Sequence, residues 1–134
     1  MKLIALLSLG RLLLKSMKKI LFVLRKQPHN GTYIPETLDI IMTAAAFDQK
    51  VSLLFLDQAI FQLKKNQHPE AMGLKDISAI YNALPLYDIN DVYVETESLQ
   101  DHGLTLDDLN VNVEEISRAN LGDFFKQFDL VLPG

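Results

Sequence analysis

The sequence predicts an α/β domain built on a mostly parallel sheet of about five strands flanked by helices. Short apolar runs, several of them β-branched, recur along the chain at residues 19–24, 51–56, 92–94 and 129–132. Between them, apolar residues return at helical spacing, and strands alternating with helices imply right-handed crossovers onto a parallel sheet. The 134 residues hold no internal repeat, low-complexity tract or linker, so one core is expected. A chain of this size can bury about two-thirds of its unfolded surface without a disulfide or metal staple.

The opening MKLIALLSLGRLLLKSM is apolar and basic. Its uninterrupted apolar run is shorter than the ~20 residues that span a bilayer. It has a signal peptide's basic start and apolar stretch, but Arg11 and Lys15 interrupt it and no Ala-x-Ala-like cleavage site follows. An amphipathic membrane helix is a further reading. Residues 1–16 are read as an N-terminal extension, with the domain running from 17 to 134 and remaining in the cytoplasm.

KILFVL (19–24) has the composition of a strand buried on both faces. The loop RKQPHNGT (25–32) carries the turn residues Pro28 and Asn30-Gly31. Pro35 suits a first helical turn, and Leu38, Ile41, Met42 and Ala45 make the apolar face behind it. VSLLFL (51–56) is a second buried strand. Ala59, Ile60 and Leu63 mark a short helix after Asp57, ending in a polar loop at 64–69. Ile77, Ile80, Tyr81 and Leu84 mark another helix, stopped near Pro85. Residues 92–94 form a third strand, and 96–102 a short helix closed by Gly103 at its C′ position. Val111-Asn-Val113 is the expected fourth strand. Ser117 would cap a helix carrying Leu121, Phe124, Phe125 and Phe128, whose aromatic stripe reads as core packing, and 129–132 is the last strand.

The chain has no cysteine, which excludes disulfides, thiolate metal sites and thiol catalysis carried by it. His29, His68 and His102 are too dispersed to suggest a metal site. Residues 1–31 hold seven Lys or Arg and no acid, while the remaining 103 hold six basic and seventeen acidic groups, a net of −11. That acidic majority disfavours direct nucleic-acid binding. In a parallel sheet, ligands bind beyond the carboxyl ends of the strands, which places candidate loops at 25–32, 57–58 and 95–97. No glycine-rich phosphate loop occurs there, although Arg25, Lys26 and His29 could attract an anion. This leaves open a stand-alone flavodoxin-like domain binding a small ligand or anion. Asp107-Asp108 and Glu114-Glu115 read as solvated pairs, and no Gly-x-Ser-x-Gly elbow exists. Residue chemistry alone points to no catalytic residue, cofactor or metal.

A series of short matches carries the reading further. Phe55-x-Asp57, Phe61-Gln-Leu63, Gln67-x-Pro69-x-Ala71 and Leu86-Tyr-Asp-Ile89 occur in order. They are flanked by Ile20-Leu-Phe-Val23, Pro28-His29 before Gly31-Thr32, Leu99 with Gly103-Leu104, and Phe128-Asp-Leu-Val131. From Met17 to the C-terminus the chain resembles the TusC/DsrF family of sulfur-relay subunits. The resemblance implies a DsrE-like three-layer domain. It also implies assembly with TusB and TusD into a heterohexamer of two heterotrimers, which accepts persulfide sulfur from TusA and passes it to TusE. The sulfur is destined for 2-thiolation of the wobble uridine of tRNA. In such a relay the persulfide cysteine belongs to TusD, at the end of the strand matching 92–94, and the matching position here is Glu95. Some relatives carry a cysteine at that position. A carboxylate has no sulfur with which to form an S–S bond, so the resemblance implies a non-catalytic partner subunit. Its Glu95 would be ionised near a helix N-terminus.

Overall fold

The computed structural model describes residues 18–25, 33–47, 49–65 and 81–133. Five strands, β1 (Lys19–Leu24), β2 (Lys50–Phe55), β3 (Asp91–Glu95), β4 (Glu114–Ile116) and β5 (Leu130–Pro133), form one sheet in the order β4-β3-β2-β1-β5. Every pairing is parallel, with Lys19 opposite Lys50, Ser52 opposite Asp91, Tyr93 opposite Glu114 and Ile20 opposite Leu130. The α-helices that lie wholly within the described residues are α1 (Tyr33–Ala46), α2 (Thr96–Asp101) and α3 (Leu121–Phe125).

The two apolar runs named above become β1 and β2, and their side chains divide between faces with the strand period of two. Ile20, Phe22, Leu24, Leu53, Phe55, Val92 and Val94 meet Leu38, Ile41 and Ala44 of α1 and Leu99 of α2. On the other face Leu21, Leu54 and Leu56 meet Phe124 of α3, with Phe125 and Phe128 packed around them. The result is the expected three-layer domain. Phe124 sets its ring edge-on to Tyr93 at 4.7 Å and to Phe128 at 5.1 Å, so the phenylalanine stripe is core.

In α1, Leu38 and Ile41 are buried as the spacing predicts, and Ala44 is buried beside them, leaving Met42 and Ala45 half-covered. The segment after β2 is a 3₁₀ helix, Asp57–Leu63, with Ala59, Ile60, Gln62 and Leu63 all buried. Three residues per turn put residues i and i+3 on one side, so the pairs 59/62 and 60/63 can both be buried. The buried Tyr81 hydroxyl donates to Gln62 Oε1, which satisfies the one polar side chain among them.

The fourth strand differs from the sequence reading. It begins at Glu114, just beyond Val111-Asn-Val113. The two valines are half-buried against the core on the approach, while Glu114–Ile116 makes the ladder with Tyr93–Glu95. An edge strand needs only backbone groups to pair, so its side-chain signal is weak. Ser117 stands at the N-cap of a 3₁₀ turn, Arg118–Asn120, without a side-chain capping bond, and α3 starts only at Leu121. The helix expected around 77–84 lies mostly outside the described residues; from Leu84 the chain is a 3₁₀ turn to Tyr87 with Pro85 in its first turn. The extension, and the loop 25–32 beyond Arg25, also lie outside them.

Gly103 is where the sequence expects a helix stop. Its φ is +67°, its N–H donates to the Gln100 carbonyl at 3.1 Å, and the Leu104 N–H reaches the Leu99 carbonyl at 2.9 Å. These two bonds make a Schellman ending. A Cβ at Gly103 would meet nothing within 4 Å, so only backbone strain opposes a side chain there. Gly103→Ala is expected to cost about 1–2 kcal/mol, read as a lower urea midpoint at unchanged m-value, with Gly103→Asn costing less.

Candidate functional site

The helices after β2 and β3 lie on one face of the sheet, whereas the chain leaving β4 crosses to α3 on the other. The carboxyl ends of β3 and β4 therefore diverge and form the crevice where ligands of open parallel sheets sit. Glu95 is the last residue of β3 and the N-cap of α2. Arg118 lies two residues beyond Ile116, the register partner of Glu95.

Across the crevice the two side chains make a forked pair. Arg118 Nε donates to Glu95 Oε2 at 3.1 Å and Nη2 to Oε1 at 2.9 Å. The Glu95 side chain is only 5% exposed, whereas that of Arg118 is 55% exposed, so the arginine covers the carboxylate from the solvent side. Ser98 Oγ donates to Glu95 Oε1 at 2.5 Å and accepts the Asp57 N–H at 2.9 Å. Asp57 has φ +52°, and this bond ties its turn after β2 into the network. The Arg118 backbone N–H donates to Glu97 Oε1 at 2.8 Å, and Asp101 Oδ2 lies 3.7 Å from Nη2. The turns after β2, β3 and β4 are thus joined through one carboxylate and one guanidinium.

The Arg118 hydrogen bonds hold the Glu95 pKa below the usual carboxylate range; burial works against them, and the Ser98 hydroxyl and the charges of Arg118 and Arg25 add to the lowering. Arg118 is shifted upward by the same carboxylate. Glu95 is therefore ionised at neutral pH. Both its oxygens are engaged, and it has neither a proton to donate nor a sulfur to charge.

A family model described as DsrE/DsrF-like matches residues 18–133. The chain belongs to the DsrE/DsrF-like family. It is 36% identical over 115 residues to a Pseudomonas aeruginosa protein named TusC homolog, covering 86% of this chain and 97% of that one. It is 40% identical over 92 residues to the intracellular sulfur oxidation protein DsrF of Allochromatium vinosum, covering 69% and 68%. The E. coli ychN protein shares the fold, at a TM-score of 0.68 with 18% identity, over 88% of this chain and all of that one.

Of the other residues weighed from the sequence of this DsrE/DsrF-like chain, none joins Glu95 directly. Asp108 Oδ2 accepts the Thr105 N–H at 2.9 Å within a capping box, Asp107 is exposed, and Glu114 and Glu115 are exposed on β4. His102 packs edge-on against Phe61 at 4.8 Å; His29 and His68 lie outside the described residues. Among the described residues no three His, Asp or Glu side chains converge as a metal site would require, and no helix is long and apolar enough to cross a membrane. Sequence reasoning placed Glu97 in a candidate loop but missed Ser98 and Arg118. One signal was available: Arg118 is the sole Lys or Arg between Lys75 and Lys126.

The pair has a pH signature. Because Glu95 titrates lower folded than unfolded, its contribution to stability is complete above the unfolded value of about 4.3 and is lost as pH falls through the folded one. In Arg118→Ala the largest influence holding the Glu95 pKa down is lost, so the pKa rises. A carboxyl-detected NMR titration of Glu95 should show that rise, and the stability lost on acidification through the Glu95 titration should shrink.

Proposed function

We propose that this chain is a non-catalytic subunit of a sulfur-relay complex, the TusC-type partner of TusB and TusD homologues in a heterohexamer of two heterotrimers. In this reading the complex takes persulfide sulfur from TusA and delivers it to TusE for 2-thiolation of the tRNA wobble uridine. The observation that carries the proposal is the occupant of the switch point. Where the carrier subunit is expected to hold its persulfide cysteine, this chain has a carboxylate closed under Arg118, and it has no cysteine elsewhere. The kinship with proteins named TusC homolog and DsrF supports the relay context.

The chemistry of the pair suits a subunit that stays out of sulfur transfer. A persulfide relay moves a terminal sulfur by thiolate attack, which breaks one S–S bond as another forms. Glu95 can neither attack a persulfide nor carry its sulfur, and the Arg118 fork occupies both of its oxygens. The subunit's task is then to hold and shape its partners. Residues 17–134 form the working domain in this proposal, residues 1–16 are an upstream extension, and the complex acts in the cytoplasm without direct contact between this chain and tRNA.

Co-expression with the neighbouring relay subunits, followed by mass measurement of the intact assembly, should give a complex containing this chain. Recovery of a stable monomer that ignores both partners would overturn the proposal. Glu95→Ala is expected to leave 2-thiolation nearly intact in cells. Loss of thiolation with assembly preserved would instead give Glu95 an active part in the relay.

A further inference from the structure

At the opposite end of the sheet from Glu95, the amino ends of β3 and β4 flank an open groove. Its deeper part has a volume of about 290 Å³ and a floor of Tyr81, Leu84, Ile89 and Val92, all buried members of the main core. Around that floor stand four asparagines, Asn82, Asn90, Asn110 and Asn112. A shallower part of about 150 Å³ continues past Asn90, Val92 and Asn112 to Asp91 and Glu114. Leu86 and Tyr87, next along the chain from the lining Pro85, are exposed, Leu86 to 85%.

We propose that this groove binds an extended, basic segment of a partner polypeptide, with one apolar side chain seated on the core floor. Size is the first argument. The deeper part lies at the bottom of the range of about 300–1,000 Å³ for small-molecule pockets and runs on into the shallower one, a shape that suits an elongated occupant with one anchoring side chain. The second argument is the carboxamides of Asn82, Asn90 and Asn112 along the groove. A peptide offers one donor and one acceptor per residue, and an uncharged side chain that both donates and accepts can meet either.

Placement and charge complete the case. The groove runs to the start of β4, which pairs among the described strands with β3 alone. A strand at the edge of a sheet can take an added strand through its outer N–H and C=O groups. Asp91 and Glu114 line that end, and both also push the Tyr93 phenol upward after burial has done so. Lys64 and Lys65 pair by main chain with residues 108–110 on the groove's Asn110 side, whereas Asp91 and Glu114 make the other end negative. A second copy of β4 would set like charges against each other, which is unfavourable on neighbouring strands. A Lys- or Arg-bearing segment faces no such repulsion.

The test uses the full chain with whatever subunits co-purify, and a fluorescein-labelled peptide of sequence KVKLKV as probe. Anisotropy should show saturable binding, with none to EVELEV. Asn90→Ala combined with Asn112→Ala should weaken KVKLKV binding roughly tenfold without lowering the melting temperature. Glu114→Lys, an exposed change, should weaken KVKLKV similarly while allowing EVELEV to bind, and it carries the test should the double variant fail to fold. Absence of saturable KVKLKV binding, equal binding of both peptides, or undiminished binding by Glu114→Lys or a folded asparagine variant would each overturn the proposal.

Discussion

A sheet whose strands all run parallel must be covered on both faces, because each crossover lays its connection across one of them. That constraint organises this molecule. It requires β1 and β2 to be apolar on both sides, and it sends three consecutive crossovers to one face before the last returns to the other. The reversal falls between β3 and β4. The crevice holding Glu95 and Arg118 is thus a product of topology before it is a product of chemistry.

The chemistry then closes what topology opened. Two charges drawn partly out of water repay their desolvation only with good geometry and satisfied lone pairs, and both conditions are met. The guanidinium reaches both oxygens of Glu95, Ser98 supplies a further donor to Oε1, and Arg118 keeps half of its side chain in solvent. A thiol at the same position would be smaller and could not accept such a fork. The carboxylate therefore makes the crevice a fastening between turns.

How much of this was legible in the sequence depends on the range over which each feature is specified. KILFVL and VSLLFL are local statements, since an unbroken apolar run implies two covered faces wherever it sits. Gly103 is equally local, because a helix stop needs only its own left-handed residue. The strand at 114–116 is not local: two glutamates and an isoleucine pair because β3 presents a free edge beside them, while the more strand-like valines serve the core. Glu95 was found through the family pattern, but its partner lies 23 residues away and is brought near only by the β3–β4 register. No spacing rule along the chain encodes that meeting.

The fastening also bears on how the molecule breathes. β4 has three paired residues at the margin of the sheet, too few for much stability of its own. Arg118 nevertheless anchors it twice to the helix that follows β3, by side chain to Glu95 and by main chain to Glu97. Local opening of the margin thus requires both anchors to part, which couples the fraying of a three-residue strand to that of the helix beside it.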